Sequence, residues 1–187
     1  LIAVAAMCNF HGYDRLIEGL HQYYAKGGTR RIEIHFVGGK DAPGNELARY
    51  KELCKKYCLQ EYITFYGERT GKELDAIYDK CNLAVASLGM YRIGYKVANS
   101  LKVREYMAKG FPIVTGCPID IFETGHFQYG CEFANNDTYI EMDQIIKFFD
   151  NVYQEDEKKV ITKIRQYARD YCDMVYAMKP VIDYFND

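Results

Sequence analysis

The chain has 187 residues, 49% of them hydrophobic, with 24 Lys+Arg against 26 Asp+Glu. That length suits a single domain with enough apolar material for a core. A net charge of −2 leaves no broad basic field for nucleic acid or an anionic membrane, so any cationic site must be a local pocket. Leu1–Met7 is a continuous apolar run and reads as a strand buried on both faces. Tyr13, Leu16, Ile17, Leu20 and Tyr24 recur at helical spacing over Gly12–Lys26, and Gly27-Gly28 ends that helix. Arg31–Val37 alternates, with Ile32, Ile34 and Phe36 against Glu33 and His35, and reads as a second strand. A helix is expected over residues 45–57, a strand over Tyr62–Tyr66, a short helix through Leu74, Ile77, Tyr78 and Cys81, and a strand over Leu83–Leu88. Residues 89–99 have no clear period and form a loop carrying Arg92 and Lys96.

The next stretch carries its own start and stop. Asn99 or Ser100 can cap a helix in which Val103 and Met107 share a face, and Gly110 can end it. Phe111–Thr115 follows as a buried strand, then an irregular stretch from Cys117 and a shorter strand within Phe127–Phe133. Helices from about Thr138, from about Asp156 and over residues 173–186, the last interrupted at Pro180, complete the chain. Alternating strands and helices imply an α/β fold: a Rossmann-like, doubly wound parallel sheet of about six strands with helices on both faces. Residues 1–187 are read as one such domain, with a helical C-terminal segment over about 137–187. Ligands of such sheets bind at the C-terminal strand ends. Here these ends lead into residues 8–12, 38–44, 67–71, 89–101 and 116–119.

Seven cysteines cannot all pair within the chain, and none forms a Cys-x-x-Cys unit. Cys54 and Cys58 share a helix side, but no nearby Cys/His pair completes a tetrahedral metal site, so buried free thiols in a reducing compartment are the better account. No apolar run approaches the ~20 residues of a membrane span. The chain opens at Leu1 inside a strand pattern, without Met or leader, and reads as part of a longer cytoplasmic protein, peripheral at most to the inner face of a membrane.

The expected strand ends gather His11, Gly12, Lys40, Arg92, Lys102 and the start of the 100–110 helix at one edge. Free backbone N–H groups and the positive dipole end at residues 99–102 suit an anion. Lys102 in a first turn opposes the dipole locally, as residues at working sites often do. Gly38-Gly39 follows a strand, but neither G-x-G-x-x-G nor G-x-x-x-x-G-K-[ST] is present, which disfavours a dinucleotide or Walker site. A donor-rich pocket in a slightly acidic protein suits a small anion such as a diphosphate.

Four ordered segments also carry a resemblance. His11-Gly12-Tyr13-Asp14-Arg15-Leu16-Ile17-Glu18-Gly19-Leu20, Ile34-His35-Phe36-Val37-Gly38-Gly39, Ile63–Gly67 with Leu74, Ile77 and Tyr78, and Ser100 to Val114 are similar to the donor-binding, C-terminal half of GT-B retaining glycosyltransferases of the group 1, family four type. The resemblance implies transfer of a hexose-type sugar from a UDP- or GDP-sugar to a polysaccharide or glycolipid acceptor, with an N-terminal domain outside this chain holding the acceptor. The isolated piece would then be inactive. The resemblance implies no metal and no cofactor beyond the nucleotide sugar. It assigns Glu105 to the ribose hydroxyls, Ser100, Leu101 and Lys102 to the diphosphate, and Gly38, Gly39 and the backbone near Arg69 to the base and phosphates. His11, Gly12 and Arg92 complete the expected donor site, with Glu105 and Lys102 nearest the chemistry. The family's Arg and Lys after the first strand correspond to Ala6 and His11, and its earlier Glu falls at Val97. Lys102, with Arg92, is expected to replace the missing positive charge. A non-catalytic nucleotide- or phosphosugar-binding module is the alternative.

Overall fold

A computed structural model describes all residues except Asp41, Pro43, Gly125 and Asp187. Asp41 and Pro43 of the expected 38–44 loop therefore lie outside the described residues. Six parallel strands form the sheet: β1 (Ile2–Val4), β2 (Ile34–Val37), β3 (Ile63–Phe65), β4 (Ala84–Val85), β5 (Ile113–Thr115) and β6 (Gly130–Glu132). Their spatial order is β3-β2-β1-β4-β5-β6. Ile2 pairs with His35 on one side and Ala84 on the other, so the direction of winding reverses between β1 and β4.

Among the described residues eight α-helices connect and cover the sheet: α1 (Tyr13–Ala25), α2 (Leu47–Lys56), α3 (Gly71–Tyr78), α4 (Leu101–Lys109), α5 (Asp120–Thr124), α6 (Met142–Val152), α7 (Glu157–Cys172) and α8 (Met174–Asn186). Successive strand residues point to opposite faces. Ala3, Ile34, Phe36 and Val85 thus meet Leu16, Leu20, Tyr50 and Ile145 in one buried cluster. Ile2, Val37 and Ala84 meet Ile77, Val103, Met107, Val160 and Ile164 in the other. Burial on both faces explains why the central strands β1 and β4 are continuously apolar, whereas Thr64 and Glu132 on the edge strands β3 and β6 are exposed. It also corrects the polar reading of His35, which is buried and bonded to the Tyr66 hydroxyl at 3.0 Å.

Several elements differ from expectation for identifiable reasons. β1 ends before Met7, whose φ of 59° turns the chain out of the ladder. The helix expected from Thr138 starts at Met142, because the preceding residues are tied elsewhere. The Ile140 N–H donates to the Arg15 carbonyl at 3.1 Å, and Arg15 Nε donates to the Thr138 carbonyl at 2.5 Å. The irregular stretch after Cys117 contains α5. Pro180 does not interrupt the last helix; α8 runs through it. No helix of the described residues is long and apolar enough to cross a membrane.

Candidate functional site

The winding reversal leaves a crevice at the C-terminal ends of β1 and β4, where connections leave the sheet in opposite directions. A cleft of about 440 Å³ occupies it. Its floor is small: Ala5 after β1, then Ala86 and Ser87 after β4. His11 closes one wall, and Ser100, Leu101 and Lys102 at the start of α4 form the other.

The start of α4 is open. The Ser100 side chain makes no capping bond, and among the described residues no protein acceptor takes the Leu101 or Lys102 N–H. Leu101 is 84% exposed and lines the cleft. An anion placed there meets two free N–H groups and the positive end of a nine-residue helix.

The two ionisable side chains of the cleft are both disfavoured as ions. Lys102 Nζ lies 3.4 Å from the Tyr13 hydroxyl and 5.7 Å from the centre of its ring. Burial pulls the ammonium down to about 7, and Cys8 pulls back only weakly. His11 is pushed down to about 3, first by burial and then by Lys102. Its Nδ1 accepts the Cys8 N–H at 2.8 Å, a bond that only the neutral ring can make and that fixes the tautomer with hydrogen on Nε2. The ring stacks on Tyr13, centroids 5.6 Å apart. His11 is thus a neutral donor beside a desolvated lysine.

The other expected residues lie around this cleft rather than in it. Glu105 is exposed one turn further along α4 and accepts from the Tyr78 hydroxyl at 3.3 Å. Gly38 has φ +99°, and a Cβ there would stand 2.3 Å from the Ala5 carbonyl oxygen, so the β2 turn runs against the cleft floor only as glycine. Gly39 packs on Met7. Arg69 is turned to its own neighbourhood, 3.6 Å from Glu73. Lys40 likewise pairs with Glu68 at 3.2 Å.

Arg92 does not line the cleft. Its guanidinium bridges Asp14 through two 2.9 Å contacts, reaches Asp137 at 3.0 Å, and donates to the Asn9 carbonyl. Arg92 and Asp14 are each only 12% exposed. Those bonds raise the guanidinium's proton affinity despite burial. The pairing with Lys102 expected from sequence is not what the fold builds, because two acids already hold Arg92. It instead fastens the 89–94 segment to the start of α1.

Gly12 lies beneath that segment. Its φ is +63°, and a Cβ would meet the Gly89 nitrogen at 2.5 Å. Gly12→Ala is expected to lose about 2–3 kcal/mol from strain and clash together, measurable as a lowered urea midpoint with unchanged m-value.

Sequence reading missed Ala5, Ala86 and Ser87, whereas Met90 and Ile119 of the lining fall in the expected 89–101 and 116–119 stretches. Small side chains at strand ends were the available signal, but only the strand order makes β1 and β4 neighbours.

The model of the family described as "Glycosyl transferases group 1" matches residues 1–151. The chain belongs to the group 1 glycosyltransferases. No curated protein matches the chain. Among solved structures, a glycosyltransferase from Rickettsia africae superposes with a TM-score of 0.72 at 17% identity, covering 98% of this chain and 46% of that one. Anabaena Alr3699/HepE in complex with UDP gives 0.70 at 14% identity, covering 99% and 48%. Sucrose-phosphate synthase from Thermosynechococcus elongatus gives 0.70 at 18%, covering 99% and 45%. At these identities the likeness establishes the GT-B-type fold, and the chain spans less than half the length of each of these structures. In this glycosyltransferase domain the resembling segments converge on one sheet edge. His11–Leu20 starts after β1, Gly38-Gly39 follows β2, Gly67 follows β3, and Ser100–Val114 runs from the cleft along α4 into β5. Of the three positions where the resemblance departs from the family, His11 lines the cleft, while Ala6 and Val97 are both exposed.

Proposed function

We propose that this domain binds a nucleoside-diphosphate sugar at the β1/β4 edge. Together with a second domain that holds a polysaccharide or glycolipid acceptor, it transfers a hexose-type residue with retention. The observation that carries the reading is the uncapped start of α4 opening into the cleft, with two free N–H groups and Lys102 aimed where a diphosphate fits. Glycosyl transfer builds negative charge on the departing diphosphate. Fixed donors stabilise that charge without reorganising. Solved relatives of the same fold bind UDP and UDP-glucose, as in the Anabaena HepE complexes, which supports a nucleotide-sugar ligand here.

Glu105 is proposed to accept from the ribose hydroxyls, and Gly38, Gly39 and the Arg69 backbone to border the nucleotide. Glu105→Ala is expected to weaken nucleotide-sugar binding about tenfold or more, since a hydrogen bond to a charged acceptor is worth about 1.5–3 kcal/mol. Its Tm should barely move, because the carboxylate is exposed. Calorimetric titration with UDP-glucose, GDP-mannose and ADP-glucose checks both; unchanged affinity rejects the assignment of Glu105.

Ala6 and Val97, standing where the family carries Arg and Glu, favour a second reading: a binding module without turnover. Sugar transfer or donor hydrolysis by the intact protein separates the two.

A further inference from the structure

Lys102 is an unusual cation for its surroundings. Among the described residues no carboxylate lies within ion-pair distance of it, although 13 such pairs occur elsewhere in the domain. Every charged or titratable neighbour is a poor counter-ion. Cys8 and His11 face it from the segment after β1, and Tyr13 faces it from α1. Behind Tyr13 stand Tyr50 of α2 and Tyr106 of α4, all with hydroxyls whose ionisation burial opposes. Glu105, on the same helix, is bonded to Tyr78. Lys102 is half-buried, and a cation so desolvated without an acid beside it is costly to keep. The surroundings offer it one route to compensation: an anion in the cleft, where the His11 Nε2–H and the free α4 N–H groups would be its other partners.

We propose that Lys102 and neutral His11 form the diphosphate clamp of this domain, and that Lys102 takes up a proton from solvent as the sugar nucleotide binds. The inference rests on the nucleotide-sugar reading above and deepens it. The clamp cation comes from α4, whereas Arg92, the other candidate, is consumed by Asp14 and Asp137. The proton balance is simple. The empty cleft holds Lys102 partly as the neutral amine near neutral pH, and the bound diphosphate holds it as the ammonium. One added proton on Nζ accompanies each ligand at alkaline pH, and no covalent bond changes. His11 stays neutral throughout and contributes no slope.

Sugar nucleotides suit the test because their diphosphate, substituted at both ends, keeps its charge from about pH 6 to about pH 8.5, whereas the terminal phosphate of free UDP titrates there. The intact protein is titrated calorimetrically with UDP-glucose, GDP-mannose and ADP-glucose across that range, in buffers of high and low ionisation enthalpy. The tightest ligand is expected to weaken about thirtyfold from about pH 6 to about pH 8.5. Its observed heat should depend on the buffer, reporting proton uptake. Lys102→Arg should keep affinity but flatten the slope, and Lys102→Met should lose affinity and slope together. The wild-type buffer comparison needs no variant, so a misfolded variant does not block the test. Binding with a flat pH profile and buffer-independent heat overturns the clamp while leaving the nucleotide-sugar reading intact. If none of the three ligands binds, both fall.

Discussion

Lys102→Met is expected to raise the Tm at about pH 6 by roughly 6–12 °C, corresponding to about 3 kcal/mol in a domain of this size. The sign follows from the direction of the shift. The Lys102 ammonium in the folded protein is lowered to about 7 from an ordinary value of 10.5. Below about pH 7 the folded domain carries the full cost of a desolvated charge. As pH rises above 7 the folded state releases that proton, while the unfolded chain keeps its own until near 10.5. The cost therefore shrinks through this window, and wild-type stability rises with pH on this account. The gain from Met should be largest at about pH 6 and clearly smaller at about pH 9, as thermal melts at the two values will show. The loss of the 3.4 Å contact to the Tyr13 hydroxyl offsets part of the gain. A stabilised variant that no longer binds a sugar nucleotide is the behaviour of a group held in place for function. A lowered Tm at both pH values would mean that Lys102 serves packing instead.

Arg15→Leu is expected to destabilise the domain by about 3–5 kcal/mol, enough to lower the Tm by roughly 6–20 °C. Arg15 is 3% exposed. Its guanidinium donates to the carbonyls of Thr138 at 2.5 Å and Ala134 at 3.0 Å, and also to that of Leu88. Removing it leaves three carbonyl oxygens without this partner, two of them on the connection between β6 and α6 and one three residues beyond β4. Leu fills some of the volume but supplies no donor. Burial already lowers the guanidinium's proton affinity, so its absence returns some desolvation energy without matching the lost bonds. Lys in its place presents a single ammonium and cannot span three diverging acceptors. Hydrogen exchange should quicken first at the Ile140 amide, which donates to the Arg15 carbonyl, and in the 89–94 segment above Gly12. Uniform loss of protection across the sheet instead would place Arg15 in the global core rather than in this local clasp.

Much of this architecture is legible in residue order alone. Apolar runs at Leu1–Met7 and Leu83–Leu88, the period of Tyr13 to Leu20, and Gly110 after Val103 and Met107 determine a doubly wound parallel sheet, because backbone pairing and burial on two faces leave little else for such patterns. The helix start at Ser100 is likewise local: residues near a cap interact within one turn.

Side-chain commitments are another matter, because they depend on partners far away in the chain. Arg92 looked free beside Lys102; Asp14 and Asp137, 78 and 45 residues distant, claim it. Thr138 looked like a helix start until Arg15 took its carbonyl from 123 residues away. Lys102 was expected at the anion site from its place in the first turn, but only the packing of Tyr13 and His11 around it makes it a cation short of an anion. Sequence by itself determined the sheet and the edge at which its strands end. Which charges remain available at that edge was decided by the tertiary structure, since ion pairing and desolvation are set by distance in space rather than along the chain.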